Sequence, residues 1–196
     1  EIMMPFRQHI RRHLDRIGEL HVEVIAPSHG PAYDRPAFIL DAYRDWSSDA
    51  VKNQVVLPYV SMHGSTRIMV DHLSEALIAR GVRVKRFDLT SLDSGKLAEA
   101  LVDAATVVIG TPTILGGAHP LALYAALLAN ALRPKTRYAT IIGSFGWGGK
   151  MLEQITEALP NLKLQFLDPV VAKGLPKEGD YLALDRLADE IAALHL

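Results

Sequence analysis

From about residue 55 onward, short β-rich apolar runs alternate with longer amphipathic stretches. The runs fall at 55–60, 82–87, 106–109, 138–142 and 164–171, and the helix-length stretches at 66–80, 97–104, 121–132, 150–159 and 181–194. Spacing supports the helices. Val70, Leu73 and Leu77 recur at i, i+3 and i+7, while Asp71, Glu75 and Arg80 fall off that stripe. Leu184, Leu187, Ile191 and Leu194 repeat the pattern, Gly81 stands where a helix C-cap belongs, and Pro160-Asn161 closes the fourth stretch. The runs at 106–109 and 138–142 are continuously apolar, as expected of central parallel strands covered on both faces. Five strand–helix units in series predict an α/β fold with an open, doubly wound parallel sheet and right-handed crossovers.

Residues 1–50 break the alternation. The pattern predicts helices at 6–17 and 38–46, a short strand at 22–25, and a turn at Pro27-Ser28-His29-Gly30-Pro31. A helix, one strand and a helix do not close a core, and a lone strand needs a sheet to join. The expected organisation is a 1–50 segment that packs on something else, followed by one α/β domain at 51–196.

Composition narrows the function classes. Apolar residues make up 49% of 196, enough to bury a core, and the net charge of −1 argues against a polyelectrolyte surface for nucleic acid. With no cysteine, this chain supplies no disulfide, thiolate-ligated metal or thiol nucleophile. No apolar run approaches the roughly 20 residues of a membrane span. The opening Glu1-Ile2-Met3-Met4-Pro5-Phe6 has no signal-peptide pattern and no initiator methionine.

In an open parallel sheet, ligands sit at the carboxyl ends of the strands, so three loops carry the candidate chemistry. Ser61-Met62-His63-Gly64-Ser65-Thr66 enters a helix, whose first amides and dipole suit a phosphate. It has neither the Walker ending nor the three-glycine dinucleotide spacing. Ser65 and Thr66 could equally be plain N-caps. The run from Gly110 through Thr111-Pro112-Thr113-Ile114-Leu115-Gly116-Gly117-Ala118-His119 to Pro120 is longer than a simple connection needs, and its apolar Ile114-Leu115 pair fits a cover over a flat ring. Gly143-Ser144-Phe145-Gly146-Trp147-Gly148-Gly149-Lys150 sets two aromatics among glycines. Stacking on a planar cofactor explains them, and packing on a neighbouring subunit is the alternative. Phosphate at one end and a flat ring at the other point to FMN.

The segment from Val55 onward resembles a flavodoxin domain, with strand order 2-1-3-4-5, although free flavodoxins usually carry a hydroxyl residue where His63 stands. The three loops are more similar to those of flavodiiron proteins (A-type flavoproteins). Ile2-Met3-Met4-Pro5-Phe6 and Ile25-Ala26-Pro27-Ser28-His29-Gly30-Pro31 resemble the closing segment of that family's metallo-β-lactamase-like domain, which precedes its flavodoxin domain. The resemblance implies an oxidoreductase in which FMN passes electrons from a redox partner, rubredoxin-like or an NADH-linked reductase, to a diiron centre that reduces O2 or NO. It implies a cytoplasmic homodimer. His29 would be the last iron ligand once the upstream ligands are supplied, since one imidazole cannot hold a metal pair. His9 and His13 lie one helical turn apart without a third ligand, and His21, His72 and His195 belong to no constellation.

The cofactor-binding expectation is thus Ser61, Met62, His63, Gly64, Ser65 and Thr66 around the phosphate. Pro112, Thr113, Ile114, Leu115 and Gly116 line one side of the ring, and Ser144, Phe145, Gly146, Trp147 and Gly148 the other. No residue is expected to act as a catalytic acid or base, and Asp88 and Asp168 are expected to be structural. Two other readings remain: a flavodoxin-type NAD(P)H:quinone reductase, and a stand-alone electron carrier or interaction domain without FMN.

Overall fold

The computed structural model describes residues 2–196, which form two compact units, Ile2–Ala50 and Val51–Leu196. In the first unit, α1 (Arg7–Gly18) and α2 (Pro36–Ser47) are the two predicted helices. Arg11 closes the unit: its guanidinium donates to both carboxylate oxygens of Asp49, at 2.9 and 2.6 Å, and to the Ser47 carbonyl at 2.6 Å. The strand expected at 22–25 does not form. Ile25 makes only a single antiparallel bridge with Tyr33 across the proline turn, because no further strand is available to extend the pairing. Ile2, Met3, Phe6, Leu20, Val24 and Phe38 are all more than half exposed.

The second unit contains the sheet. Its elements in order are β1 (Lys52–Tyr59), α3 (Ser65–Ala79), β2 (Arg83–Asp88), α4 (Ser94–Leu101), β3 (Ala104–Ile114), β4 (Gly117–Ala118), α5 (Pro120–Leu132), β5 (Tyr138–Phe145), α6 (Met151–Glu157), β6 (Gln165–Phe166), β7 (Val170–Lys173) and α7 (Glu178–Leu194). The main path runs β2-β1-β3-β5-β6, all parallel. Both β6 and β7 pair with β5. They are the two halves of the predicted fifth strand, interrupted at Leu167-Asp168-Pro169, where proline has no N–H for the ladder. The order is therefore the flavodoxin-like 2-1-3-4-5. The sheet has seven strand segments because of that break and the two-residue β4, which pairs antiparallel with β3.

Strand alternation sends successive side chains to opposite faces. Val55, Leu57, Val108 and Ile142 pack beneath Met69, Leu73 and Leu77 of α3 and Leu184, Leu187 and Ile191 of α7. Val56, Val107, Ile109 and Ile141 face Leu97 and Leu101 of α4, Ala122, Ala126 and Ala129 of α5, and Ile155 of α6. The apolar stripes of α3 and α7 thus do what their spacing implies. The two helices are also tied directly by His72 with Asp185 at 2.8 Å and by Arg80 with Asp189 at 2.6 Å. Asp93 caps α4 through the amides of Gly95 and Lys96, starting that helix three residues before the predicted position. Asp88 caps a short turn. The Thr90 hydroxyl and amide bind its carboxylate and hold its pKa below the ordinary value despite partial burial. Asp168 contributes its backbone carbonyl, which accepts from the Thr140 hydroxyl at 3.2 Å. No helix among the described residues is long and apolar enough to cross a membrane.

Two contacts at the amino ends of the strands generate predictions. Gly81, at φ +77, ends α3 with Val82 N–H on the Leu77 carbonyl and Gly81 N–H on that of Ile78, both at 3.0 Å, which is the Schellman pattern. Gly81→Ala should cost about 1 kcal/mol, read from the urea midpoint, because a side chain strains the left-handed cap. His195, past the end of α7, donates from Nδ1 to Asn53 Oδ1 at 2.9 Å and accepts at Nε2 from Thr106 at 2.7 Å. The Asn53 amide is itself spent on the Gly81 carbonyl, which assigns the tautomer. Burial lowers the His195 pKa. The unfolded chain then binds the proton more readily, so this contribution is full above about pH 6.5 and is lost as pH falls through the folded-state value. Stability should decline from pH 7 to pH 5, and His195→Gln should flatten that part of the curve.

Candidate functional site

The carboxyl ends of β1, β3 and β5 are neighbours in the sheet, so the three loops emerge side by side. After β1 the chain turns at Gly64, whose φ of +89 lets it serve as N-cap of α3 without strain. The Ser61 hydroxyl accepts the Arg67 amide at 3.2 Å, satisfying one first-turn donor. That oxygen is a capping acceptor, and its own hydrogen stays available to a ligand. The amides of Ser65 and Thr66 are first-turn donors that the helix itself leaves open.

The second loop is not a plain connection. β3 continues to Ile114, five residues beyond its predicted end, and folds back onto β4 with Thr113 opposite Ala118 and Ile114 opposite Gly117. The turn is Leu115-Gly116, with φ +49 and +80, the type I′ pattern that asks for left-handed backbone at both positions. A leucine there costs roughly 1–2 kcal/mol, and this one is 99% exposed, so packing within the chain does not offset the strain. At the hairpin base, the His119 amide donates to the buried Thr111 hydroxyl at 3.1 Å. His119 Nδ1 accepts the Leu121 amide and caps α5.

The third loop leaves β5 at Phe145, which is still in the strand, and carries the 79% exposed Trp147. Buried hydroxyls of Ser144 and Thr66, 3.3 Å apart, join it to the first loop.

One cavity of about 450 Å3 opens between the loops, and fourteen of the sixteen predicted residues lie on its wall. Ser61, Met62, His63, Ser65 and Thr66 form one part, Pro112, Thr113, Ile114, Leu115 and Gly116 a second, and Ser144, Phe145, Gly146 and Trp147 a third. Gly64 and Gly148 are not on the wall; Gly64 shapes the turn from behind. Gly174 lines the cavity and was not expected. It follows β7 at φ +75 and donates its amide to the Phe145 carbonyl at 2.9 Å. A glycine directly after a strand was the available signal. The wall carries no Lys, Arg, Asp or Glu. An anion would therefore be held by amides, hydroxyls and the α3 dipole rather than by a counter-charge.

His29 is exposed on the proline turn of the first unit. Among the described residues, no three His, Asp or Glu side chains gather closely enough to hold a metal ion.

No family model matches the sequence. A nitric oxide reductase of Moorella thermoacetica is 32% identical over 98% of this chain and 49% of its own length. A flavo-diiron protein of Clostridium acetobutylicum is 27% identical over 97% and 50%. Among solved structures, the rubredoxin oxygen:oxidoreductase of Desulfovibrio gigas superposes with a TM-score of 0.91 at 27% identity, covering 98% of this chain and 49% of that one. The chain spans about half the length of the curated relatives it matches. Fold, loop geometry and these likenesses together place the chain in the flavodiiron family, of which it carries the flavodoxin-like part.

Proposed function

We propose that the 51–196 domain binds FMN in this cavity and serves as the electron-transfer domain of a flavodiiron-type oxidoreductase that reduces O2 or NO. The carrying observation is the joining of three loops around one cavity whose wall has no Lys, Arg, Asp or Glu, with open helix amides on one side and an exposed tryptophan on another. The phosphate would sit on the Ser65 and Thr66 amides, with the Ser61 and Ser65 hydroxyls as further donors. The ring would lie between the Thr113–Gly116 wall and Phe145-Gly146-Trp147. The flavin supplies the electron chemistry when bound, and the protein's part is to orient it and exclude water. No side chain on the wall is needed as acid or base.

The reading extends to the rest of a longer protein. The matched relatives are twice as long and cover this chain through its first unit. That supports taking 1–50 as the closing segment of a metallo-β-lactamase-like domain, with His29 an iron ligand once the other ligands are present. Met62, Leu115 and Trp147 leave an apolar rim at the cavity mouth, which favours a covering protein surface. We assign that cover to a redox partner, rubredoxin-like or an NADH-linked reductase, or to a second subunit of a cytoplasmic homodimer.

Titration of the purified chain with FMN tests the central claim. One flavin should bind per chain and quench Trp147 fluorescence, and Trp147→Leu should remove most of that quench. Thr66→Val, which keeps the Thr66 amide but breaks its hydroxyl contact with Ser144 between the first and third loops, should weaken FMN binding roughly 10-fold or more. A colourless protein that takes up no FMN would overturn the proposal and favour a domain that acts by interaction alone.

A further inference from the structure

Gln154 lies on α6, outside all three loops and off the cavity wall. Its Oε1 accepts the Ala118 amide at 2.9 Å. Its side-chain amide lies flat against Gly117, where a Cβ would fall 2.5 Å from that oxygen. One turn earlier, the Lys150 amide donates to the Gly116 carbonyl at 2.8 Å. Gly149 approaches the same carbonyl so closely that a Cβ there would be 2.5 Å away. Thr113 Oγ1 meets Met151 Sδ at 3.5 Å. Residues 116–118 are therefore tied to the start of α6 at successive points. Immediately before them stands Leu115, strained and without a packing partner that would explain its conformation.

We propose that Gln154 is a positioning residue, which with the Lys150 amide clasps the β3–β4 hairpin and holds the Leu115–Gly116 tip in place as a wall of the flavin cavity. The hairpin has only two paired positions of its own, too few to be stable unaided. Without Gln154, the buried Ala118 amide loses its acceptor, and Leu115 is free to relax to negative φ. Relaxation swings the tip, because a type I′ turn needs both left-handed residues to match the strand twist. The inference rests on the FMN reading above. It adds that the ring-side wall is set by a helix residue that never touches the ring.

The test uses Gln154→Ala, the isosteric Gln154→Met in case the first fails to fold, Gln154→Glu, which keeps the accepting oxygen, and Leu115→Gly alone and combined with Gln154→Ala. FMN dissociation constants come from flavin fluorescence, and Ala118 amide exchange in the flavin-free protein from NMR. Loss of the acceptor should weaken FMN binding at least 10-fold and speed Ala118 exchange at least 10-fold, while Gln154→Glu restores both to within threefold of wild type. In the Leu115→Gly background, where left-handed backbone costs little, Gln154→Ala should cost less than threefold in binding. Binding within threefold of wild type in both acceptor-deleting variants overturns the proposal. So does an equal loss in both Leu115 backgrounds, which would assign Gln154 to helix packing alone. Failure of the underlying reading appears separately and first, as wild-type protein that binds no FMN, and the inference then falls with it.

Discussion

The cavity depends on how closely β1, β3 and β5 approach one another where they end. Gly110 of β3 lies across from Tyr59 of β1, and a Cβ at Gly110 would come within 2.6 Å of the Tyr59 Cβ. Gly143 of β5 pairs with Thr111 of β3, and any Cβ at Gly143 would collide with the Thr111 carbonyl oxygen. Glycine at these two positions lets three strands finish side by side at native spacing. Three loops from distant parts of the chain then open onto one space. A side chain at either position would splay the strands and separate the walls of the cavity.

From that close approach the rest of the site follows by short-range contacts. Thr66 and Ser144 join hydroxyls between the first and third loops. Gly174 joins β7 to Phe145, and α6 grips the β3–β4 hairpin through backbone and Gln154. Each contact is modest in energy, since a single hydrogen bond contributes on the order of 1 kcal/mol net. Together they leave few ways for the loops to move independently. That is the condition under which a rigid, planar ligand is bound without a large ordering cost. The absence of Lys, Arg, Asp and Glu from the wall fits the same design, with oriented amides already in place when an anion arrives.

Helices were the most legible feature of the sequence. The stripes of α3 and α7 follow directly from 3.6-residue spacing, and Gly81 stands at the C-cap where its composition placed it. The strands were legible as apolar runs but not in extent. β3 runs on to Ile114 because residues read as loop pair with β5 as far as Pro112 and with β4 at Thr113 and Ile114, and the Gly and Pro among them masked the strand signal. The fifth strand divides at Pro169. The short strand expected at 22–25 needed neighbours that the first unit lacks, and β propensity without a partner yields only the Ile25–Tyr33 bridge. For the site, the predicted residues came from one rule, that ligands gather at the carboxyl ends of parallel strands. Gln154 and the Lys150 amide act across long sequence separations and on backbone groups, so residue type alone could not mark them, whereas Gly174 was marked only as a glycine directly after a strand.

What the sequence determined by itself was the periodicity of its elements, the doubly wound class that five strand–helix units require, and the chemical character of the three strand-end loops. These are local or additive properties, written in spacing and composition. Only the tertiary structure decided how closely the strands approach at their ends, that Leu115 is held in a left-handed turn, and that a glutamine on α6 holds the hairpin carrying it. Those depend on distances between segments far apart in the chain. They are settled by packing, where one missing Cβ or one well-placed acceptor selects among backbones that the local sequence permits equally.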